Sequence, residues 1–135
     1  MNFLALLDQK FDFIFFTGSQ AVGKEVLDYA MVLVAATHPD SEVATATTKR
    51  YIRLGASPRA AQALITAAKV RALMRGRYNV SYDDINTLAI PVLRHRIKLG
   101  FEAVTSKMDA DDVVRSIIAE LNNQKGAQAI LNKKK

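Results

Sequence analysis

The sequence predicts an all-α, four-helix bundle-like fold. Three observations carry this: apolar residues recur at three- and four-residue spacing in four stretches, cap and terminator residues bracket those stretches, and short connections join them. At 135 residues there is room for one domain of ordinary size. The boundaries expected are a lead-in over 1–23, a helical domain over 24–121 and a basic, frayed tail over 122–135.

The first helix is read from Lys24 to Thr37, with Val26, Ala30, Leu33, Val34 and Thr37 on one face and His38-Pro39 as the stop. The Thr-rich stretch from Pro39 to Thr48 reads as a loop. A second helix starts with Ser57 as the cap and Pro58 in the first helical position, where a missing N–H costs nothing. Ala61, Leu64, Ile65, Ala68, Ala72 and Leu73 form its apolar face, Arg59, Gln62, Lys69 and Arg75 lie opposite, and Gly76 terminates it. After an extended piece around Tyr78 to Val80, Ser81 caps a third helix. Asp83 and Asp84 occupy its first turn, and Ile85, Leu88, Ala89, Val92 and Leu93 face the core. Pro91 predicts a kink or break near Ile90. The fourth helix follows Lys107, with Asp109, Asp111 and Asp112 near its start and Val113, Val114, Ile117, Ile118 and Leu121 inward.

Composition excludes several chemistries. There is no cysteine, so thiolate nucleophiles, disulfides and Cys-based metal sites are ruled out. His38 and His95 are far apart in sequence, which removes the helical His pair of a zinc site. No Ser-His-Asp or paired-carboxylate spacing suggests a catalytic centre, so no catalytic residue is assigned. The apolar N-terminus contains Asp8, Lys10 and Asp12 and lacks a leading basic region, and no stretch approaches the ~20 apolar residues of a membrane span. A cytoplasmic location is expected.

Two motifs remain. Gly18 to Lys24 matches G-x-x-x-x-G-K, but Glu25 stands where a phosphate-binding loop needs Ser or Thr for Mg²⁺, and no second strand with a metal-binding Asp follows. It is not expected to function as one. In Gly55-Ala56-Ser57-Pro58-Arg59, the cap puts Arg59 in the first turn of a helix, where its charge opposes the dipole. A guanidinium beside orphan helix N–H groups makes a phosphate-binding corner. From the motif alone, a surface arginine beside an ordinary cap is the simpler reading.

The run Tyr51-Ile52-Arg53-Leu54-Gly55-Ala56-Ser57-Pro58-Arg59-Ala60-Ala61-Gln62-Ala63-Leu64 resembles the sensor 2 region of MoxR-family AAA+ ATPases. Leu27-Asp28-Tyr29, Ala36-Thr37-His38-Pro39, Pro91-Val92-Leu93-Arg94-His95-Arg96 and Asp111-Asp112-Val113-Val114 are similar to other parts of that family's lid. The resemblance covers about Val26 to Leu121. It implies a lid in which Arg59 senses the γ-phosphate of bound ATP, with Gly55, Ser57 and Pro58 supporting it. ATP and Mg²⁺ would belong to the full-length parent enzyme, and no cofactor is expected for the lid by itself. The implied partners are an AAA+ core domain or a neighbouring subunit of a ring, and a von Willebrand factor A-domain protein in chaperone-like work. The family's α/β core, with its P-loop, Walker B strand and sensor 1, is not found in the sequence, so hydrolysis by this chain alone is not expected.

The net charge of +6 supports a second reading. Eleven basic residues lie between Lys49 and Lys98 against two acids, as a small nucleic-acid-binding module would have. They do not cluster on one recognition helix, and aromatics are not interleaved with them. A purely structural or partner-binding bundle is the third class.

Overall fold

Side-chain caps set the start of three of the helices, at Thr45, Ser81 and Asp109. The computed structural model describes residues 22–133, with side chains described through Gln124. In chain order the elements are α1 (Lys24–Ala35), α2 (Ala46–Tyr51), β1 (Ile52–Leu54), α3 (Pro58–Met74), α4 (Tyr82–Leu93), β2 (Lys98–Leu99), α5 (Phe101–Thr105) and α6 (Ala110–Lys133). Residues 1–21 of the expected lead-in, with Gly18 and most of the G-x-x-x-x-G-K match, lie outside the described residues. Of that motif, Gly23 is the N-cap of α1 and Lys24 its first residue.

The four expected helices are present as α1, α3, α4 and α6. Gly76 ends α3 as predicted: at φ 69° it lets its own N–H reach the Leu73 carbonyl (3.0 Å) and that of Arg77 reach Ala72 (2.9 Å). Ser81 and Asp84 form a reciprocal capping box at the start of α4. Asp109 and Asp112 do the same for α6, the Asp112 N–H donating to Asp109 Oδ1 at 2.8 Å and the Asp109 N–H to Asp112 Oδ2 at 3.3 Å.

Several expectations need correction. The Thr-rich segment read as a loop contains the start of α2, because Thr45 caps it by accepting the Thr48 N–H at 3.2 Å. Glu120 of α6 receives the Thr47 hydroxyl at 2.6 Å, bracing the same turn from across the fold. A two-stranded antiparallel pairing was not foreseen: Ile52 lies opposite Leu99 and Leu54 opposite Lys98. The five-residue α5 follows it directly. Pro91 does not break α4, which continues to Leu93. Pro91 lies in the last turn, so only the final residues depend on the hydrogen bond it cannot make. The backbone helix α6 runs on through the expected tail as far as Lys133. On α3, Lys69 is buried (7% exposed) and Leu73 is 60% exposed, the reverse of the assigned faces. The buried stripe is centred on Leu64, Ile65, Ala68 and Ala72, which Lys69 adjoins through the i,i+4 row from Ile65. Burial holds the Lys69 ammonium below its ordinary pKa.

The core is continuous. Leu33 and Val34 of α1, Leu64 and Ile65 of α3, Ile85 and Leu93 of α4, and Val113, Val114 and Ile117 of α6 are all buried together. The α3 contribution is unusually small in volume: Ala60, Ala61, Ala68 and Ala72 are fully buried. Its outward face shows Val70, Leu73 and Met74 to solvent.

One ionic cluster ties the α3 end to the α4 start. The Asp84 side chain is wholly buried. It accepts Arg77 through two bonds (2.6 and 3.0 Å), Arg71, and the Ser81 backbone N–H at 2.8 Å. Burial by itself would raise the Asp84 pKa, but the donors from Arg77, Ser81 and Arg71 outweigh it and hold the carboxyl well below the ordinary range. Because the folded pKa is depressed, this stabilisation is complete above the unfolded value of ~3.9 and is lost as pH falls below it. Asp84→Asn is expected to cost about 3 kcal/mol in urea unfolding at pH 7, the low end for a broken buried pair, since Arg77 reaches solvent. The variant should also lose less stability than the wild type between pH 5 and ~2.5.

Candidate functional site

The residues singled out by sequence converge on the start of α3. Ser57 is its N-cap by backbone conformation (φ −72°, ψ 166°) and Pro58 its first residue, as expected. The Ser57 hydroxyl, however, makes no cap hydrogen bond. First-turn N–H groups are therefore left without a side-chain acceptor. Arg59 is exposed beside them. Its side chain makes no hydrogen bond or ion pair among the described residues.

The position of this corner is set from behind by the end of α1. A Cβ added at Gly55 would lie 2.7 Å from the Thr37 carbonyl oxygen and 2.8 Å from His38 Cγ, so only glycine allows this approach of the backbone. The next residue, Ala56, is fully buried, and both its peptide groups are held by side chains. Its N–H donates to Thr37 Oγ1 at 3.0 Å, and its carbonyl accepts from His38 Nε2 at 2.5 Å. Since a carbonyl can only accept, His38 carries a proton on Nε2. Thr37 in turn donates its hydroxyl to Val34 O (2.6 Å), and Thr48 of α2 donates to Ala36 O (2.5 Å). Three successive residues at the α1 end thus bind α1, α2 and the turn before α3.

Sequence reasoning placed Gly55, Ser57, Pro58 and Arg59 but missed Thr37, His38 and Thr48 as their support. Thr37 read as one more helical position and His38 as a stop signal. Their only marker was that both stand in the Ala36-Thr37-His38-Pro39 motif.

Apart from the buried Lys69, the basic middle of the chain separates into two groups. Arg50 pairs with Glu102 (2.8 Å), Arg71 and Arg77 with Asp84, and Arg94 with Asp111 (3.1 Å), so these charges serve the fold. Lys49, Arg53, Arg59, Arg75, Arg96 and Lys98 are exposed, and their side chains pair with nothing among the described residues. Pairing between β1 and β2 puts Lys98 beside the strand that leads into Gly55. What the corner offers chemically is a guanidinium beside open helix N–H groups, a combination suited to an anionic oxygen. No group of three or more His, Asp or Glu among the described residues could hold a metal ion.

Comparison with known proteins places this geometry in context. The model of the AAA lid domain family matches residues 44–117, which includes Arg59, Ala56 and Asp84. Chaperone MoxR1 of Mycobacterium tuberculosis is 32% identical over 93 residues, covering 69% of this chain and 25% of that protein. The uncharacterized protein YeaC of Bacillus subtilis is 41% identical over 68 residues, covering 50% of this chain and 21% of that protein. A crystal structure of a protein from Cytophaga hutchinsonii, described as a candidate ATPase, superposes with a TM-score of 0.69 at 31% identity, covering 75% of this chain and 31% of that one. The matched region thus spans no more than a quarter of the length of these curated relatives.

Two substitutions separate backbone support from capping. Thr37→Val removes the acceptor of the buried Ala56 N–H and is expected to lower unfolding stability by about 1–3 kcal/mol. Ser57→Ala should change it by less than ~0.5 kcal/mol, well under the ~1 kcal/mol typical of a lost N-cap, because no bond is lost. Urea denaturation of both variants checks the pair.

Proposed function

The chain belongs to the AAA lid domain family, and from that premise we propose that it works as the lid of a MoxR-like AAA+ ATPase, with Arg59 as its nucleotide-sensing residue. The observation that carries this reading is the state of Arg59: a guanidinium that is exposed, with no partner among the described residues, at the head of a helix whose preceding turn is fixed by buried hydrogen bonds. An arginine that served only the fold would resemble Arg71 or Arg77, which are spent on a buried carboxylate.

The residues fit a terminal phosphate. Arg59 would meet the γ-phosphate of ATP held on a core domain, in the same or a neighbouring subunit, while Gly55, Ser57 and Pro58 set the turn. Mg²⁺ accompanying ATP would be held by that core. When bound, ATP supplies the phosphoryl group and its developing negative charge. Arg59 acts on that charge by position and electrostatics, without transferring a proton. Chaperone-like remodelling of a client is supported by the resemblance to Chaperone MoxR1. The participation of a von Willebrand factor A-domain protein rests on the family resemblance alone. No helix among the described residues is long and apolar enough to cross a membrane.

The nucleic-acid reading loses its main support once Arg50, Arg71, Arg77 and Arg94 are assigned to internal ion pairs. In the ATPase formed by this lid and its core, Arg59→Ala is expected to lower kcat at least about tenfold while leaving the melting temperature of the 135-residue chain within ~2 °C. Steady-state ATPase kinetics with a thermal melt make the test. Unchanged turnover sinks the sensing role; a collapsed melt would make Arg59 structural.

A further inference from the structure

We infer that His38 is a positioning residue for Arg59, with Thr37 beside it, so that the end of α1 and the phosphate-sensing corner move as one piece. The inference rests on the sensing role proposed for Arg59 and adds to it the route by which that role is held in place.

The geometry is specific. Ala56 lies three residues before Arg59 and has no side chain with which to fix itself. Its peptide N–H and C=O are gripped by adjacent side chains of one other element, Thr37 and His38. Two bonds to the two sides of one residue restrain rotation of the chain as well as its translation, which a single bond would not. Gly55 adds a steric limit, since its Cα rests against the Thr37 carbonyl and the His38 ring. Local capping adds no side-chain bond to this hold: the Ser57 hydroxyl forms no cap bond, and Pro58 has no N–H to offer.

Without the bond from His38 to its carbonyl, the Ala56 peptide is held by Thr37 alone and opens more readily while the core is unchanged, so the corner should keep its fold and lose its aim. A guanidinium that acts by position is sensitive to displacements of about 1 Å. The effect should therefore appear in turnover more than in affinity. His38 also offers a clean chemical control. A glutamine at this position carries its amide N–H the same number of bonds from the backbone as Nε2, whereas phenylalanine fills the space of the ring with no donor.

The test is a double-mutant cycle in the ATPase formed by this lid and its core. His38→Phe is expected to reduce kcat about tenfold with KM for ATP changed less than about twofold, and His38→Gln to recover most of the loss. In an Arg59→Ala background, His38→Phe should bring no further loss, because it acts through a side chain that is already gone. Wild-type kcat in His38→Phe, or losses that multiply in the double variant, would overturn the positioning role while leaving Arg59 as the sensor. Normal kcat in Arg59→Ala would remove the sensing role, and this one with it. Amide exchange on the 135-residue chain gives a readout independent of turnover. His38→Phe should speed exchange at Ala56 and the first turn of α3 with the core amides unchanged; unaltered exchange at Ala56 counts against the inference even if His38→Phe turns over poorly.

Discussion

The Asp84 carboxylate is the constraint around which the rest of the bundle is arranged. It is wholly buried, yet surrounded by donors that come from the end of α3, from the connection after it and from the N-cap of α4. A buried anion tolerates few arrangements, because each lost donor exposes a desolvation cost of several kcal/mol. The angle between α3 and α4 is therefore fixed more tightly than apolar packing alone would require. With that angle set, α3 presents its other end at a defined place, and the hold on Ala56 by Thr37 and His38 finishes the placement. One long helix is thus pinned at both ends by polar groups and along its middle by core contacts.

What could be read from the sequence is what local chemistry decides. The start and stop of α3, the capping role of Ser81 and the core positions Leu33, Leu64, Ile85 and Ile117 all follow from residues within a turn or two of one another. Arg59 was reachable for the same reason, since Pro58 fixes its place in the first turn. The parts that escaped depend on partners far along the chain. The start of α2 is braced by Glu120, β1 exists because β2 lies beside it, and Ala56 is held by residues 18 and 19 positions earlier. Lys69 illustrates the same limit on a single helix: its charge marks it as exposed, and only the tilt of α3 against its neighbours buries it.

Charge follows a similar division. Read as a sum, the basic middle of the chain suggests one anionic partner. In three dimensions, its arginines include the counter-charges of Asp84, Glu102 and Asp111, each joining two segments of the chain. The charge left over is exposed, and Arg59 stands out by its place at an open helix start, not by its sign.

The alanines on the buried face of α3 have a mechanical meaning. Long side chains at a helix contact can change rotamer and absorb a small displacement, whereas methyl groups in close contact have no torsion to yield. Ala60, Ala61, Ala68 and Ala72 leave α3 little such slack against the helices it packs on. A push at the head of that helix therefore passes along it to its neighbours as through a stiff lever, with little taken up by side-chain rearrangement.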